Sequence, residues 1–134
     1  MNQLELAEKI AREAHAGQFR KDGVTPYIRH VESVVSRVDT DEEKCVAWLH
    51  DVIEDSDLNT VKLRNLGVEV SISDCVGMLT RRSETYAEFI DAIHCENCQT
   101  CTKVKIADIL SNLSDRPTEK QIVKYAKALL VLTK

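Results

Sequence analysis

The segment WLHDVIED, residues 48–55, sets His50, Asp51, Glu54 and Asp55 among Trp48, Leu49, Val52 and Ile53. On a regular helix, with about 100° per residue and His50 as origin, Glu54 falls at about 40°, Asp51 at about 100° and Asp55 at about 140°. Trp48, Val52, Cys45, Leu49, Ile53 and Val46 then span roughly 160° to 320°. The pattern predicts a two-faced helix whose polar arc holds one imidazole, three carboxylates and the small Ala47. A solvated acidic face usually interleaves Lys or Arg at i+4 to relieve repulsion. This one repeats the negative charge, and a bound cation is the economical way to hold it.

The flanking sequence reads as more helices. Thr40 with Glu43 forms a capping box, so the helix is expected to run from there to about Glu54. Upstream, residues 3–15 put Leu4, Leu6, Ala7, Ile10, Ala11 and Ala14 on one stripe, which HAGQFRKDGVTP ends with two glycines and a proline. His30 opens a second helix with Val31, Val34, Val35 and Val38 inside. Downstream, TVKLRNLG is a short helix closed by Gly67, and Ser71 with Asp74 can cap another through Leu79. Residues 84–94, about 99–113 and 118–132 complete the set. No run alternates with period two for long. The expectation is an all-α fold of roughly seven helices, with residues 1–134 as one domain and no linker or repeat.

Composition narrows the function classes. A chain of 134 residues, 43% apolar and 30% charged, can bury a core of its own. No apolar run approaches the roughly 20 residues of a membrane span, so no membrane partner is expected. The N-terminus MNQLELAEKIAREAH is amphipathic and carries acids, unlike a secretory signal or transit peptide, which points to the cytoplasm. A net charge of −4 with dispersed basic residues argues against a nucleic-acid partner and leaves room for a phosphorylated small molecule. Oligomeric state is not legible, and a homo-oligomer stays open.

Five cysteines are an odd number without the spacing of a secreted scaffold, so reduced thiols are the default reading. Cys95, Cys98 and Cys101, with His94 beside them in HCENCQTC, have metal-ligand spacing. No Gly or Pro builds the turn on which a Cys-x-x-Cys pair usually converges. The favoured reading is cysteine as a small hydrophobe near a helix junction.

A second polar constellation lies in KVKIADILSN. Lys105, Asp108 and Asn112 share a stripe about 60° wide, while Ile106, Leu110 and Leu113 point elsewhere. Alone, Asp108 would read as a surface acid. Together with the 48–55 segment it supplies another carboxylate to the same cation.

His30, the pair His50-Asp51, and Asp108 match the H…HD…D pattern of the HD-domain metal-dependent phosphohydrolases. Within that superfamily, AHAGQFRKDGVTPYIRH, WLHDVIED and KIADILSN resemble the hydrolase domain of RelA/SpoT proteins and the small alarmone hydrolases, a likeness reaching from Ala14 to the terminal KYAKALLVL. The resemblance implies that His30, His50, Asp51 and Asp108 bind one divalent ion, typically manganese. Two imidazoles and two carboxylates suit such an ion. Glu54 and Asp55 match the acidic pair that assists the attacking water. Arg20 and Lys21 match a basic pair at the mouth of the site, Asn112 an asparagine facing ribose or phosphate, Tyr125 a late tyrosine near the nucleoside, and Lys105 a lysine that pairs with a carboxylate or contacts substrate. Where relatives often carry a polar triplet such as Arg-x-His before the asparagine, this chain has Ile109, Leu110 and Ser111. Between Thr80 and the 84–94 helix it has only RRS, which implies a more open pocket.

The implied activity is removal of the 3′-pyrophosphate from guanosine tetra- or pentaphosphate. Hydrolysis of another phosphorylated nucleotide or phosphomonoester, a non-catalytic nucleotide sensor, and a cysteine-bound metal regulator are the alternatives.

Overall fold

A computed structural model describes residues 1–134. The chain forms nine helices: α1 (Gln3–Ala14), α2 (Ile28–Val35), α3 (Asp41–Leu49), α4 (Val52–Asp55), α5 (Thr60–Asn65), α6 (Val70–Met78), α7 (Tyr86–Glu96), α8 (Gln99–Leu113) and α9 (Glu119–Leu132). No strand forms, and one isolated bridge joins Phe19 to Pro26 in the loop after α1. The all-α expectation holds. No helix is long and apolar enough to cross a membrane.

Helix α3 is the hub, packing against α1, α2, α6 and α8. Its start is the expected capping box, with Thr40 and Glu43 bonding each other's backbone N–H groups. Its faces are not as expected. Cys45, Val46, Ala47, Trp48 and Leu49 are all buried, so the C-terminal half of the helix is enclosed on every side and its Ala47 face meets protein, while Asp41 and Glu42 at its start stay exposed. Each large apolar side chain so buried contributes roughly 1.5–3 kcal/mol. Those contributions offset the cost of enclosing charged groups beside them, which is several kcal/mol per ion.

The helix expected to continue to Glu54 breaks at His50-Asp51. His50 Nδ1 donates to the Ala47 carbonyl at 2.6 Å, and the backbone N–H of His50 reaches that oxygen only at 3.5 Å. The imidazole takes the acceptor that helps continue the helix, Asp51 turns to φ −108°, ψ −1°, and the single turn α4 starts anew. This break, with α2 starting at Ile28 rather than His30, accounts for much of the difference from the expected helices. α6 also starts earlier than expected: Glu69 is its N-cap, and neither Ser71 nor Asp74 caps it. Within α6, Gly77 allows α5 to approach closely; a Cβ there would lie 2.9 Å from Thr60 Cγ2.

Helix α8 crosses α2, α3 and α6 and is flanked by the α7–α9 pair. Residues of α2, the α3–α4 break and α8 thereby come to one point in the interior.

Candidate metal centre

That point is lined by His30 from α2, His50 and Asp51 from the break, and Asp108 from α8, with one donor atom of each lying within 4.8 Å of the others. His30 Nε2 is 2.9 Å from Asp108 Oδ1, and His50 Nε2 is 2.9 Å from Asp51 Oδ2 and 3.5 Å from Asp108 Oδ1. His30, His50 and Asp108 are buried, and Asp51 nearly so.

The surrounding hydrogen bonds orient each group. His50 Nδ1 is committed to the Ala47 carbonyl. His30 Nδ1 lies 3.0 Å from Ser111 Oγ, whose own hydroxyl donates to Ser33 Oγ at 2.9 Å. With both Nδ1 atoms donating, both Nε2 atoms present lone pairs inward. Tyr27 donates its hydroxyl to Asp51 Oδ2, Lys105 Nζ donates to Asp108 Oδ2 at 2.9 Å, and Asn112 Nδ2 reaches Asp108 Oδ1 at 3.4 Å.

The donor set fits a divalent cation. His50 Nε2 is fully enclosed, and although a carboxylate oxygen lies 2.9 Å away, none stands where it could complete a hydrogen bond. Two imidazole lone pairs and two carboxylates aimed at one another repel unless a proton or a cation lies between them. Burial works against charge on His50, but Asp51 and Asp108 outweigh it and hold its pKa well above the usual range. Burial likewise opposes ionisation of Asp108, and Lys105, His30 and His50 overcome it, keeping that carboxyl well below its ordinary value. Asp51 is held at about 2, with His50 prevailing over burial.

Glu54 and Asp55 stand on α4, one turn beyond the cluster. Glu54 Oε1 accepts the backbone N–H of Arg81 at 3.0 Å. Burial raises its pKa, and the Asp51 carboxylate adds to the rise. Burial and then Asp51 raise Asp55 in the same way. Gln18 ties this turn down, its Nε2 donating to the Asp55 carbonyl at 2.8 Å and its Oε1 meeting His15 Nδ1 at 2.8 Å.

Arg20, Lys21, Asn112 and Tyr125 line an open cavity of about 620 Å³, which Tyr27 and Asn112 connect to the four-residue cluster. The loop bearing Arg20 and Lys21 is shaped by Asp22, whose carboxylate accepts the Thr25 hydroxyl and the backbone N–H groups of Val24 and Thr25. Those bonds, led by the Thr25 hydroxyl, lower its pKa to about 2. Arg20 donates to Asn112 Oδ1 and Asp115 Oδ2, both at 3.2 Å, and its guanidinium lies 5.8 Å from the Tyr27 ring centre. Lys105 is turned away from the cavity onto Asp108.

Sequence reasoning passed over Tyr27, Ser111 and His15. Tyr27 follows Pro26 directly in the quoted TPYIRH stretch, and only the fold shows it reaching Asp51. Ser111, one of the departures from the family pattern, supports His30. His15 is buried, its Nε2 without a hydrogen-bond partner. The cysteines also regroup. Cys95 is exposed and outside any cluster, while Cys98 and Cys101 are joined by Cys75 from α6. The missing turn is supplied by Asn97, in the left-handed conformation at φ 54°, ψ 35°.

The all-helical fold that brings these donors together is shared with a solved structure. That structure, described as a metazoan ortholog of SpoT that hydrolyses ppGpp and plays a role in starvation responses, aligns over 98% of this chain and 86% of its own, with TM-score 0.80 and 24% identity. The guanosine-3′,5′-bis(diphosphate) 3′-pyrophosphohydrolase of Haemophilus influenzae is 46% identical over 59 residues, 41% of this chain. The matched stretch covers only 9% of that much longer relative. No protein-family model matches the chain.

Proposed function

We propose that this protein hydrolyses a phosphorylated nucleotide with the help of a divalent cation, and that guanosine tetra- or pentaphosphate is the substrate, losing its 3′-pyrophosphate. The observation that carries the proposal is the convergence of His30, His50, Asp51 and Asp108 within 4.8 Å, beside a cavity of nucleotide size whose lining includes Arg20, Lys21 and Arg116 along with Asp22 and Asp115. Both relatives described above are named for action on this nucleotide.

His30, His50, Asp51 and Asp108 hold the ion, manganese by the family resemblance. The ion supplies Lewis acidity and offsets charge on the phosphoryl group. Tyr27, Ser111 and Lys105 fix the directions of the ligating atoms. Glu54 and Asp55 orient the attacking water and exchange its proton, and their raised pKa values bring them closer to neutrality, where a base both accepts and returns protons. Arg20 and Lys21 meet base and phosphate, the guanidinium by stacking and the ammonium as a point charge. Asn112 contacts ribose or phosphate, and Tyr125 packs near the nucleoside. Residues 1–134 act as one hydrolase domain, working in the cytoplasm.

The test is turnover of the manganese-loaded protein on guanosine tetraphosphate, run beside a panel of 2′- and 3′-phosphorylated nucleotides and with His50→Ala. Pyrophosphate release abolished by the substitution is expected. Cleavage of another panel member alone would keep the mechanism and overturn the substrate. Tight alarmone binding with no turnover would overturn the enzyme reading in favour of a sensor.

A further inference from the structure

Three sulfurs meet at the N-terminal end of α8, about two turns along that helix from Asp108 and apart from the function proposed above. Cys75 lies on α6, Cys98 is the N-cap of α8, and Cys101 is the third residue of that helix. Their Sγ atoms all lie within 4.8 Å of one another, and those of Cys75 and Cys98 are 3.8 Å apart. Cys75 and Cys101 are buried, and Cys98 is partly exposed.

The backbone explains the convergence. α7 ends at Asn97 in the left-handed conformation, which reverses the chain within a residue and lets α8 start at once. In a capping box the N-cap and third-residue side chains reach across to each other's backbone. Cysteine occupies both positions here, and Cys98 makes no capping hydrogen bond, so its sulfur remains available. α6 packs against α8 and delivers Cys75 to the pair.

From this geometry we infer that Cys75, Cys98 and Cys101 form a second metal site, selective for a thiophilic cation of the zinc and cadmium type. Zinc–sulfur bonds of about 2.3 Å in tetrahedral array place sulfurs about 3.8 Å apart. The Cys75–Cys98 separation already has that value, and the other pairs lie within 4.8 Å, about 1 Å or less from it. Binding is not redox chemistry: each thiol gives its proton to solvent as its sulfur–metal bond forms, leaving one coordination position for solvent, reached at the partly exposed Cys98. A Cys75–Cys98 disulfide would instead need the sulfurs to close to about 2.05 Å and would leave Cys101 unused. The two clusters select different ions, because thiolates favour soft cations and the imidazole–carboxylate set favours harder ones.

The experiment is titration of the reduced full chain with cadmium alone, read by sulfur-to-cadmium charge-transfer absorption, to which the His/Asp cluster is silent. One equivalent is expected to saturate the band, with zinc competing for the site. Cys98→Ser is expected to weaken cadmium by the order of 100-fold while leaving the circular dichroism unchanged, since serine is a favoured N-cap. Cys95→Ser is expected to match wild type. No charge-transfer band in the wild-type chain, or a band of full strength and affinity in Cys98→Ser, would overturn the inference. If Cys98→Ser misfolds, the wild-type chain decides in its place: one equivalent of cadmium is expected to protect the partly exposed Cys98 from alkylation and to leave the exposed Cys95 reactive, and alkylation of Cys98 at its metal-free rate would overturn the inference.

Discussion

Tyr27→Phe isolates one hydrogen bond in the metal centre. The ring stays, keeping its edge contact to His30 at 5.7 Å and its place under Arg20. The hydroxyl that donates to Asp51 Oδ2 is removed. A hydrogen bond to a charged group is worth about 1.5–3 kcal/mol. At about 1.4 kcal/mol per decade, that is roughly 10- to 100-fold in the affinity of any ion that depends on Asp51 keeping its orientation. Titration calorimetry with manganese is expected to show this loss, and turnover to be restored at high metal because the acidic pair on α4 is untouched. Unchanged manganese affinity would refute the role given to Tyr27. A loss of turnover that excess metal does not restore would show that the hydroxyl serves the reaction rather than the ion.

Glu54→Gln keeps an oxygen for the Arg81 N–H but cannot accept a proton; kcat is expected to fall about 10²- to 10⁴-fold with metal binding intact, measured by pyrophosphate release and calorimetry. Arg20→Ala is expected to raise KM about 10- to 100-fold with little change in kcat, since the guanidinium lines the cavity and makes no contact with the metal cluster; steady-state kinetics check it. Apparent manganese affinity is expected to rise with pH, because the ion displaces the proton that Asp51 and Asp108 hold on His50, and calorimetry in a pH series should show the proton release. In the metal-free chain, Asp51 has its folded pKa depressed to about 2. Its contribution to stability is therefore full above its unfolded value of about 4 and lost as pH falls from there towards 2, which acid unfolding followed by circular dichroism would register.

Local sequence determined most of the helices, and motif resemblance picked out the residues of the candidate metal centre. The capping box at Thr40 and Glu43, the stripe through α1, and the Lys105–Asp108–Asn112 face depend on residues three or four apart, and that spacing is fixed by the helix itself. Only the tertiary structure decided how those residues act. Tyr27 meets Asp51 across 24 positions, Ser111 meets His30 across 81, and Arg20 meets Asn112 across 92. Periodicity within one helix carries no information about such pairs. The helix break has the same origin. A wheel drawn through WLHDVIED separates His50 from Asp51 by about 100°, whereas the side chain of His50 takes the Ala47 carbonyl and turns both residues onto one point. Enclosure of α3 by four neighbours sets the polar arc read as a cation site inside the protein, and packing of α6 on α8 replaced Cys95 with Cys75. Each outcome depends on which surfaces the remaining helices cover, and burial is a property of the whole assembly of helices rather than of any one segment.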